Sequence, residues 1–298
     1  MQQAVPSPEV GVNLDHIGLF CHDLGAVARQ FEALGFLLTP LSQHARPPTP
    51  DAPVALRGTA NRCAMLRQGY IELLGVVDPT LDTLGVPEAL ARYAGLHILA
   101  FGLDDAQVQE ARLQAEGFAP TRTILERRLD LPEGSGLARF IQVRPRADAL
   151  PEGRVFMLRH ETPELVWQPR YLSHPNSATG LAETTVAVPD LDEAAARYQR
   201  YLGAASQSGP GWRRFALDHG ALRLVAADVL PALLPGVQPP CLPFPAAATI
   251  TVASLATAMA HWRAHGVAFE PCPEGARIAP DAAGGTTLIF QEPPAPRG

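Results

Sequence analysis

The chain has 298 residues, of which 47% are hydrophobic and 18% charged, and its formal net charge is −6 at pH 7. This composition is typical of a folded protein with a sizeable core, and the length suggests two domains of roughly 150 residues each. The negative charge and the scattered arginines exclude a surface built to neutralise phosphates, so we expect no nucleic-acid partner. No segment approaches the ~20 apolar residues that a membrane span needs, and the N-terminus lacks a signal-peptide pattern. We therefore expect a cytoplasmic protein with no membrane partner.

The four cysteines are far apart in the chain and form no C-x-x-C pair: Cys21, Cys63, Cys241 and Cys272. This spacing argues against a zinc ribbon, a thioredoxin-like site or a disulfide framework. We expect ordinary thiols.

The first regular elements are a strand and a helix near the N-terminus. Apolar residues alternate from Leu14 to Cys21, and the next segment, "LGAVARQFEALGF", places its apolar residues on one helical face. Asp23 is the predicted N-cap of this helix and Gly35 its C-terminal stop. The segment is therefore a predicted βα unit.

The same pattern occurs three more times along the chain. The predicted caps are Asp104, Asp190 and Ser254, and the predicted stops are Gly117, Gly203 and Gly266. Cap and stop are 12 or 13 residues apart in all four copies, a constancy that unrelated amphipathic helices would seldom produce.

Further strands follow each helix, and the last of them begins with a glycine that suits a hairpin turn. These last strands read "GYIELLGVV", "GRVFMLRHE", "GALRLVAAD" and "GTTLIFQE". One or two more strands fit between helix and last strand, which gives a βαβββ module. A single module leaves a sheet edge and a sheet face open, so four modules should form two pairs in an α+β fold.

The boundary between the two pairs is expected near residue 175, in "WQPRYLSHPNSATGL". The predicted N-terminal domain covers residues 12–174 with modules at 14–76 and 95–162, and the C-terminal domain covers 178–294 with modules at 182–228 and 246–292.

Four βαβββ modules, with a histidine early in the first strand and a glutamate on the last, resemble the vicinal oxygen chelate superfamily, which includes glyoxalase I and extradiol dioxygenases. The segments "LDHIGLFCHDL", "GTAN", "GYIELLG" and "HPN" resemble, more narrowly, uncharacterised glyoxalase-like proteins, mainly over residues 14–178. The resemblance implies that each pair of modules forms a cup-shaped sheet. It also implies a divalent metal ion in the cup, held by residues of first and last strands.

Counting along the modules gives the positions that this resemblance assigns to metal ligands. The first-strand position, seven residues before each predicted cap, holds His16, His97, Glu183 and Ala247. The last-strand position, three residues after the hairpin glycine, holds Glu72, Phe156, Arg223 and Leu288. The resemblance thus implies a site of His16, Glu72 and His97 for an ion such as Fe, Mn, Zn or Ni. The alternatives are that His97 is a buried neutral histidine and that Glu72 faces solvent.

The C-terminal pair lacks this set of residues. Glu183 and Arg223 are instead expected to form an ion pair across the second cup, with Ala247 and Leu288 opposite. We expect this domain to hold no metal and to serve as a cover, a dimer surface or a specificity wall, which leaves a homodimer open.

Catalytic candidates lie in "FMLRHETPE", after the hairpin glycine Gly153. A regular strand places His160 on the face of the ligand position, whereas a one-residue bulge would place Arg159 and Glu161 there. His160 is the candidate general base or fourth ligand, and Arg159 the candidate contact to an anionic substrate.

Two residues between the first helix and Glu72 are candidates for substrate binding. His44 and Asn61 lie where the resembled family carries similar residues. The proline-rich segment after His44 is long enough to fold over the mouth of a cup.

The expected function is a metal-dependent enzyme acting on a small oxygen-bearing substrate, with lyase, isomerase or dioxygenase chemistry. One alternative is a metal-free protein that binds or sequesters a small molecule. Another is a dimerisation scaffold with degenerate cups, which would leave Glu72 and the histidines without a role.

Overall fold

The computed structural model describes residues 11–46 and 54–293, which form two eight-stranded sheets. The proline-rich segment 47–53, the predicted cover of the cup mouth, lies outside the described residues. No helix in the described part of the chain is long and apolar enough to cross a membrane.

The first sheet contains eight strands from the first half of the chain. They are β1 (Val12–Cys21), β2 (Ser42–Arg46), β3 (Ala55–Met65), β4 (Tyr70–Val76), β5 (Gly95–Leu103), β6 (Thr121–Leu131), β7 (Gly134–Arg144) and β8 (Arg154–His160). Their order across the sheet is β2-β3-β4-β1-β5-β8-β7-β6. The edge strands β2 and β6 approach each other, so the sheet is curved into a cup.

The second sheet repeats this arrangement. Its strands are β9 (Ala178–Val188), β10 (Ser206–Gly209), β11 (Trp212–Ala216), β12 (Ala221–Ala226), β13 (Phe244–Val252), β14 (Glu270–Cys272), β15 (Gly275–Ile278) and β16 (Thr287–Gln291). Their order is β10-β11-β12-β9-β13-β16-β15-β14.

The helices comprise one long helix per module and three short ones. They are α1 (Leu24–Ala33), α2 (Val86–Leu90), α3 (Ala106–Ala115), α4 (Pro163–Val166), α5 (Leu191–Leu202), α6 (Leu230–Leu233) and α7 (Leu255–Ala264), with 3-10 turns at Pro169–Tyr171 and Pro280–Ala282.

Each module has the predicted βαβββ order, and modules pair through their first strands. In the first sheet β1 is parallel to β4 and antiparallel to β5, and β5 is parallel to β8. The second sheet has the same pairings among β9, β12, β13 and β16. The predicted α+β fold of four βαβββ modules in two cup-shaped sheets is confirmed.

Three of the four predicted helix caps are confirmed. The side chains of Asp23, Asp190 and Ser254 each accept a hydrogen bond from a backbone N–H of the first turn. The prediction for α3 is wrong by one residue, because Asp105 and not Asp104 accepts from the first-turn N–H groups. Two adjacent aspartates can both cap a helix, so the sequence alone left the choice open.

The long helices pack between the two sheets. One continuous core contains the helix-facing residues of both sheets together with helix residues such as Phe31, Tyr198 and Trp262. Trp262 of α7 donates from its indole N–H to the carbonyl of Leu34 at 3.0 Å, which ties the C-terminal half to the end of α1. The cups are therefore the sheet faces that the helices leave uncovered.

Candidate active site in the N-terminal cup

A cavity of about 150 Å³ lies on the cup face of the first sheet. Its polar wall includes His16, His44, Tyr70 and Glu72. Its apolar wall includes Leu74, Ile98, Leu125, Phe140, Phe156 and Leu158. Polar groups that converge beside apolar side chains in a pocket are typical of a small-molecule site.

His16 is held in place by the residue before it in β1. The pairing with β5 shifts register between Leu14 and His16, so that Asp15 is the extra residue of a β-bulge. Such bulges re-aim side chains, and here Asp15 lies 2.6 Å from Nδ1 of His16. When the His16 ring is neutral, Nδ1 donates to Asp15 and Nε2 is left as an acceptor.

The same carboxylate also contacts His160. Its second oxygen lies 3.0 Å from Nε2 of His160. Burial raises the pKa of Asp15, but the charge of His160 and the hydrogen bonds from both histidines outweigh this and hold the pKa far below its usual range. Asp15 is therefore an ionised, buried bridge between two imidazoles.

Glu72 projects from β4 into the cavity and is buried. Its carboxylate accepts a hydrogen bond from the Asn61 amide, and Nε2 of His44 lies 3.7 Å from Oε1. Burial raises the pKa of Glu72, but the contact with His44 and the charges of His16 and Arg127 bring it down to about 2. Glu72 is thus ionised at neutral pH.

His44 has one ring nitrogen paired and one left over. Nδ1 lies 2.7 Å from the Thr59 hydroxyl, whereas Nε2 is buried and makes no hydrogen bond in the described residues. Burial and the charge of Arg127 lower the pKa of His44, so its ring is neutral at pH 7. The predicted substrate-binding residues differ in position: His44 lines this cavity, whereas Asn61 donates to Glu72 and lines a second cavity.

His97 does not join the other predicted ligands. Its ring is stacked between Phe20 at 4.8 Å and Tyr93 at 4.0 Å, and its Nε2 donates to the Tyr93 carbonyl at 2.9 Å. Burial lowers the pKa of His97 to about 4. His97 also lines a different cavity. It is therefore a buried neutral histidine, which is the alternative that the sequence left open.

The one-residue error in the α3 cap explains this misplacement. Counting back seven residues from Asp105 gives Ile98, not His97. The β1–β5 pairing agrees, because His16 lies opposite Ala100 and Ile98 lies opposite Gly18, which makes His16 and Ile98 equivalent about the pseudo-twofold axis. Ile98 also lines the cavity beside His16.

The four ligand positions of this cup therefore hold His16, Glu72, Ile98 and Phe156, of which only the first two can bind a metal. Within residues 11–46 and 54–293, no three His, Cys, Asp or Glu side chains are gathered closely enough to hold an ion. The residues present do not fit the predicted site of His16, Glu72 and His97.

The predicted catalytic segment in β8 has a regular register. Phe140, Ile141 and Gln142 pair in sequence with His160, Arg159 and Leu158, so there is no bulge. Arg159 and Glu161 form a partly exposed ion pair at 3.5 Å, and neither lines the cavity.

His160 itself sits beside the cavity wall. Its ring is enclosed by Phe140 and Trp167, and its Nδ1 is buried without a partner among the described residues. Its contact with the site runs through Asp15.

A second, larger cavity of about 300 Å³ adjoins the first. Tyr70, Arg127 and Phe140 line both cavities and mark their junction. Asp15 and Arg127 are not among the site residues predicted from the sequence. The signals were present, since Asp15 is a carboxylate in an apolar strand and Arg127 shares one face of β6 with Leu125 and Leu129.

The second cup has the expected ion pair. Glu183 contacts Arg223 at 2.8 Å, and it also contacts Arg214 at 2.6 Å. These charges line a cavity of about 140 Å³. In the linker, His174 and Asn176 bind backbone groups of Leu37, Met65 and Leu34, so they pin the connection between the sheets.

Comparison with known structures supports the fold. A hypothetical protein from Staphylococcus aureus aligns with a TM-score of 0.65 at 12% identity, over 95% of this chain and 100% of the other. A triple mutant of 4-hydroxymandelate synthase from Streptomyces coelicolor aligns at 0.52 and 14% identity, over 89% of this chain and 78% of the other. A xylose isomerase-like TIM barrel/4-hydroxyphenylpyruvate dioxygenase fusion protein aligns at 0.55 and 15% identity, over 100% of this chain and 52% of the other.

Curated proteins give no match, but a family model does. The model for the glyoxalase-like domain matches residues 14–202, which is more than half of the chain. The match includes the strands of the first cup, apart from the first two residues of β1, and continues through α5. The chain belongs to the glyoxalase-like domain family.

Proposed function

We propose that the N-terminal cup is an enzyme site that moves a proton on a small oxygen-bearing substrate, as lyases and isomerases do. The observation that carries the proposal is that His16, on the wall of the cavity, lies 2.6 Å from the buried carboxylate of Asp15. A carboxylate that fixes the proton on one ring nitrogen leaves the other nitrogen oriented as a general base.

The other polar groups complement this role. The proton of a substrate C–H bond next to a carbonyl passes to Nε2 of His16, and the electron pair moves onto the carbonyl oxygen. His44, in the tautomer with its proton on Nε2, supplies a hydrogen bond to that oxygen. Glu72 is ionised and close enough to His16 to stabilise the imidazolium that forms.

The test is hydrogen–deuterium exchange of C–H bonds in a panel of small carbonyl compounds in D2O at pH 7, followed by proton NMR. His16→Gln is expected to slow exchange by about 100-fold or more, the usual contribution of a general base. Asp15→Asn should also slow it, because the ring loses its fixed tautomer. His22→Gln is the matched control, since His22 is exposed beside the same strand and lines neither cavity.

Two results would count against the enzyme. If His16→Gln exchanges at the same rate as the parent, His16 is not the general base. Compounds that bind in the cavity without exchange would favour the alternative function, a protein that binds or sequesters a small molecule.

A second candidate is the metal-dependent reaction expected from the family resemblance. It is favoured by Nε2 of His44, which has no hydrogen-bond partner among the described residues and lies near the ionised Glu72, with His16 on the same cavity wall. It requires these three side chains to move closer together than they lie in the described structure. A divalent ion would act there as a Lewis acid. Adding Fe²⁺, Mn²⁺, Zn²⁺ or Ni²⁺ to chelator-treated protein should then raise its melting temperature, and His44→Gln should abolish the rise while His22→Gln keeps it.

A further inference from the structure

We propose that the substrate is an organic carboxylate with an apolar body, whose carboxylate binds Arg127 and whose apolar body occupies the larger of the two adjoining cavities. This inference rests on the proposed function for the site that it serves, and it adds the substrate class.

Arg127 is placed to bind an anion. It lies on the edge strand β6, is partly buried, and lines both cavities at their junction. In the described part of the chain its guanidinium makes no ion pair or hydrogen bond. It lines the smaller cavity together with Glu72 and His44. A partly desolvated guanidinium is stabilised best by a bidentate carboxylate.

The other two arginines of the smaller cavity are already engaged. Arg144 donates to the Gln142 side chain at 2.6 Å and lies over the Phe156 ring at 5.3 Å. Arg154 donates to the Leu84 carbonyl and lies over the Phe20 ring. Arg127 is therefore the guanidinium that a ligand can use without displacing these contacts.

The charge of Glu72 determines where the ligand's carboxylate binds, and the apolar wall of the larger cavity determines where its apolar body binds. The ionised Glu72 in the smaller cavity repels a second carboxylate, so the ligand's charge is expected to stay at the junction. The larger cavity has an apolar wall of Cys63, Met65, Val166 and Tyr171. Each methylene group buried against such a wall tightens binding by about fourfold.

Isothermal titration calorimetry with three probes tests the proposal. The probes are 4-phenylbutanoate, its neutral analogue 4-phenylbutanamide, and acetate. The parent should bind 4-phenylbutanoate about tenfold or more tightly than the amide, and more tightly than acetate by a larger factor. Arg127→Gln should remove the preference for the carboxylate over the amide. Arg127→Lys, which keeps the charge, should retain part of it.

Arg122→Gln is the matched control on the same strand. Arg122 is paired with Glu110 at 3.1 Å and lines neither cavity, so the preference should survive this change. The proposal is overturned if the parent binds the amide as tightly as the carboxylate, if folded Arg127→Gln keeps the preference, or if acetate binds as tightly as 4-phenylbutanoate.

The exchange experiment separates this proposal from the proposed function. One possible result is exchange that depends on His16 but favours neutral compounds in both the parent and Arg127→Gln. It would refute the proposed substrate class and support the proposed enzyme function. Carboxylate binding that depends on Arg127, without exchange of any bound compound, would support the proposed ligand class and refute the proposed enzyme function.

Discussion

Asp15→Ala is the substitution whose effect the site geometry predicts in most detail. Both oxygens of the carboxylate are in use, at 2.6 Å from His16 and at 3.0 Å from His160, and all three side chains are largely buried. Hydrogen bonds to charged groups contribute about 1.5–3 kcal/mol each, and the substitution leaves two buried imidazole nitrogens without their partner. We therefore expect the free energy of unfolding at pH 7 to fall by about 3–5 kcal/mol.

Equilibrium urea unfolding measures this change, and Asp15→Asn calibrates it. Asparagine keeps the volume and one acceptor oxygen, so it should cost clearly less than alanine. The sign of the pH dependence also follows. The pKa of Asp15 is lowered in the folded protein, so its contribution is complete above the ordinary value of 3.8 and is lost as pH falls below it.

The stability difference between parent and Asp15→Ala should therefore shrink as the pH is lowered from 5 toward 2. A variant as stable as the parent at pH 7, or a difference that does not change over this range, would refute the description of Asp15 as an ionised bridge.

Three further predictions concern other parts of the molecule. Arg197→Met should lower the free energy of unfolding in urea by about 3–5 kcal/mol, because it leaves the fully buried Glu152 carboxylate without its cation. Glu152→Gln should cost less, because Arg197 keeps its ion pair with Glu193. Equal losses would contradict this. Glu72→Gln should lose less stability than the parent when the pH is lowered from 4.5 to 2. The pKa of Glu72 is lowered in the folded protein, so its contribution to the free energy of unfolding is present above pH 4.5 and disappears as the pH falls through about 2. A variant that loses as much stability in acid as the parent would contradict this. His97→Phe should keep the aromatic stack and leave 4-phenylbutanoate binding within about twofold of the parent, and a large loss of affinity in calorimetry would place His97 at the site after all.

Much of the fold was predictable because it repeats. Cap, helix and stop recur at nearly constant spacing, and the modules built on Asp23, Asp190 and Ser254 have the predicted caps. Repetition fixed the element order, and the need to cover open edges fixed the pairing.

The site was less predictable, because strand positions have a period of two and an error of one residue selects the opposite face. Because Asp104 and Asp105 are adjacent, the predicted N-cap of α3 was one residue too early. The ligand position counted from it was therefore His97 and not Ile98. Asp15 was missed because only the bulge in β1 turns its carboxylate toward His16. Arg127 was missed because its contact with the cavity depends on the curvature that brings β6 over the cup.

The most direct test of the account is a crystal structure of the protein with bound 4-phenylbutanoate. We expect the ligand in the N-terminal cup, with its carboxylate within about 3.2 Å of the Arg127 guanidinium and its phenyl ring in the larger cavity. Ligand found only beside His97, or only in the second cup at Glu183, would contradict the assignment of the N-terminal cup as the active site.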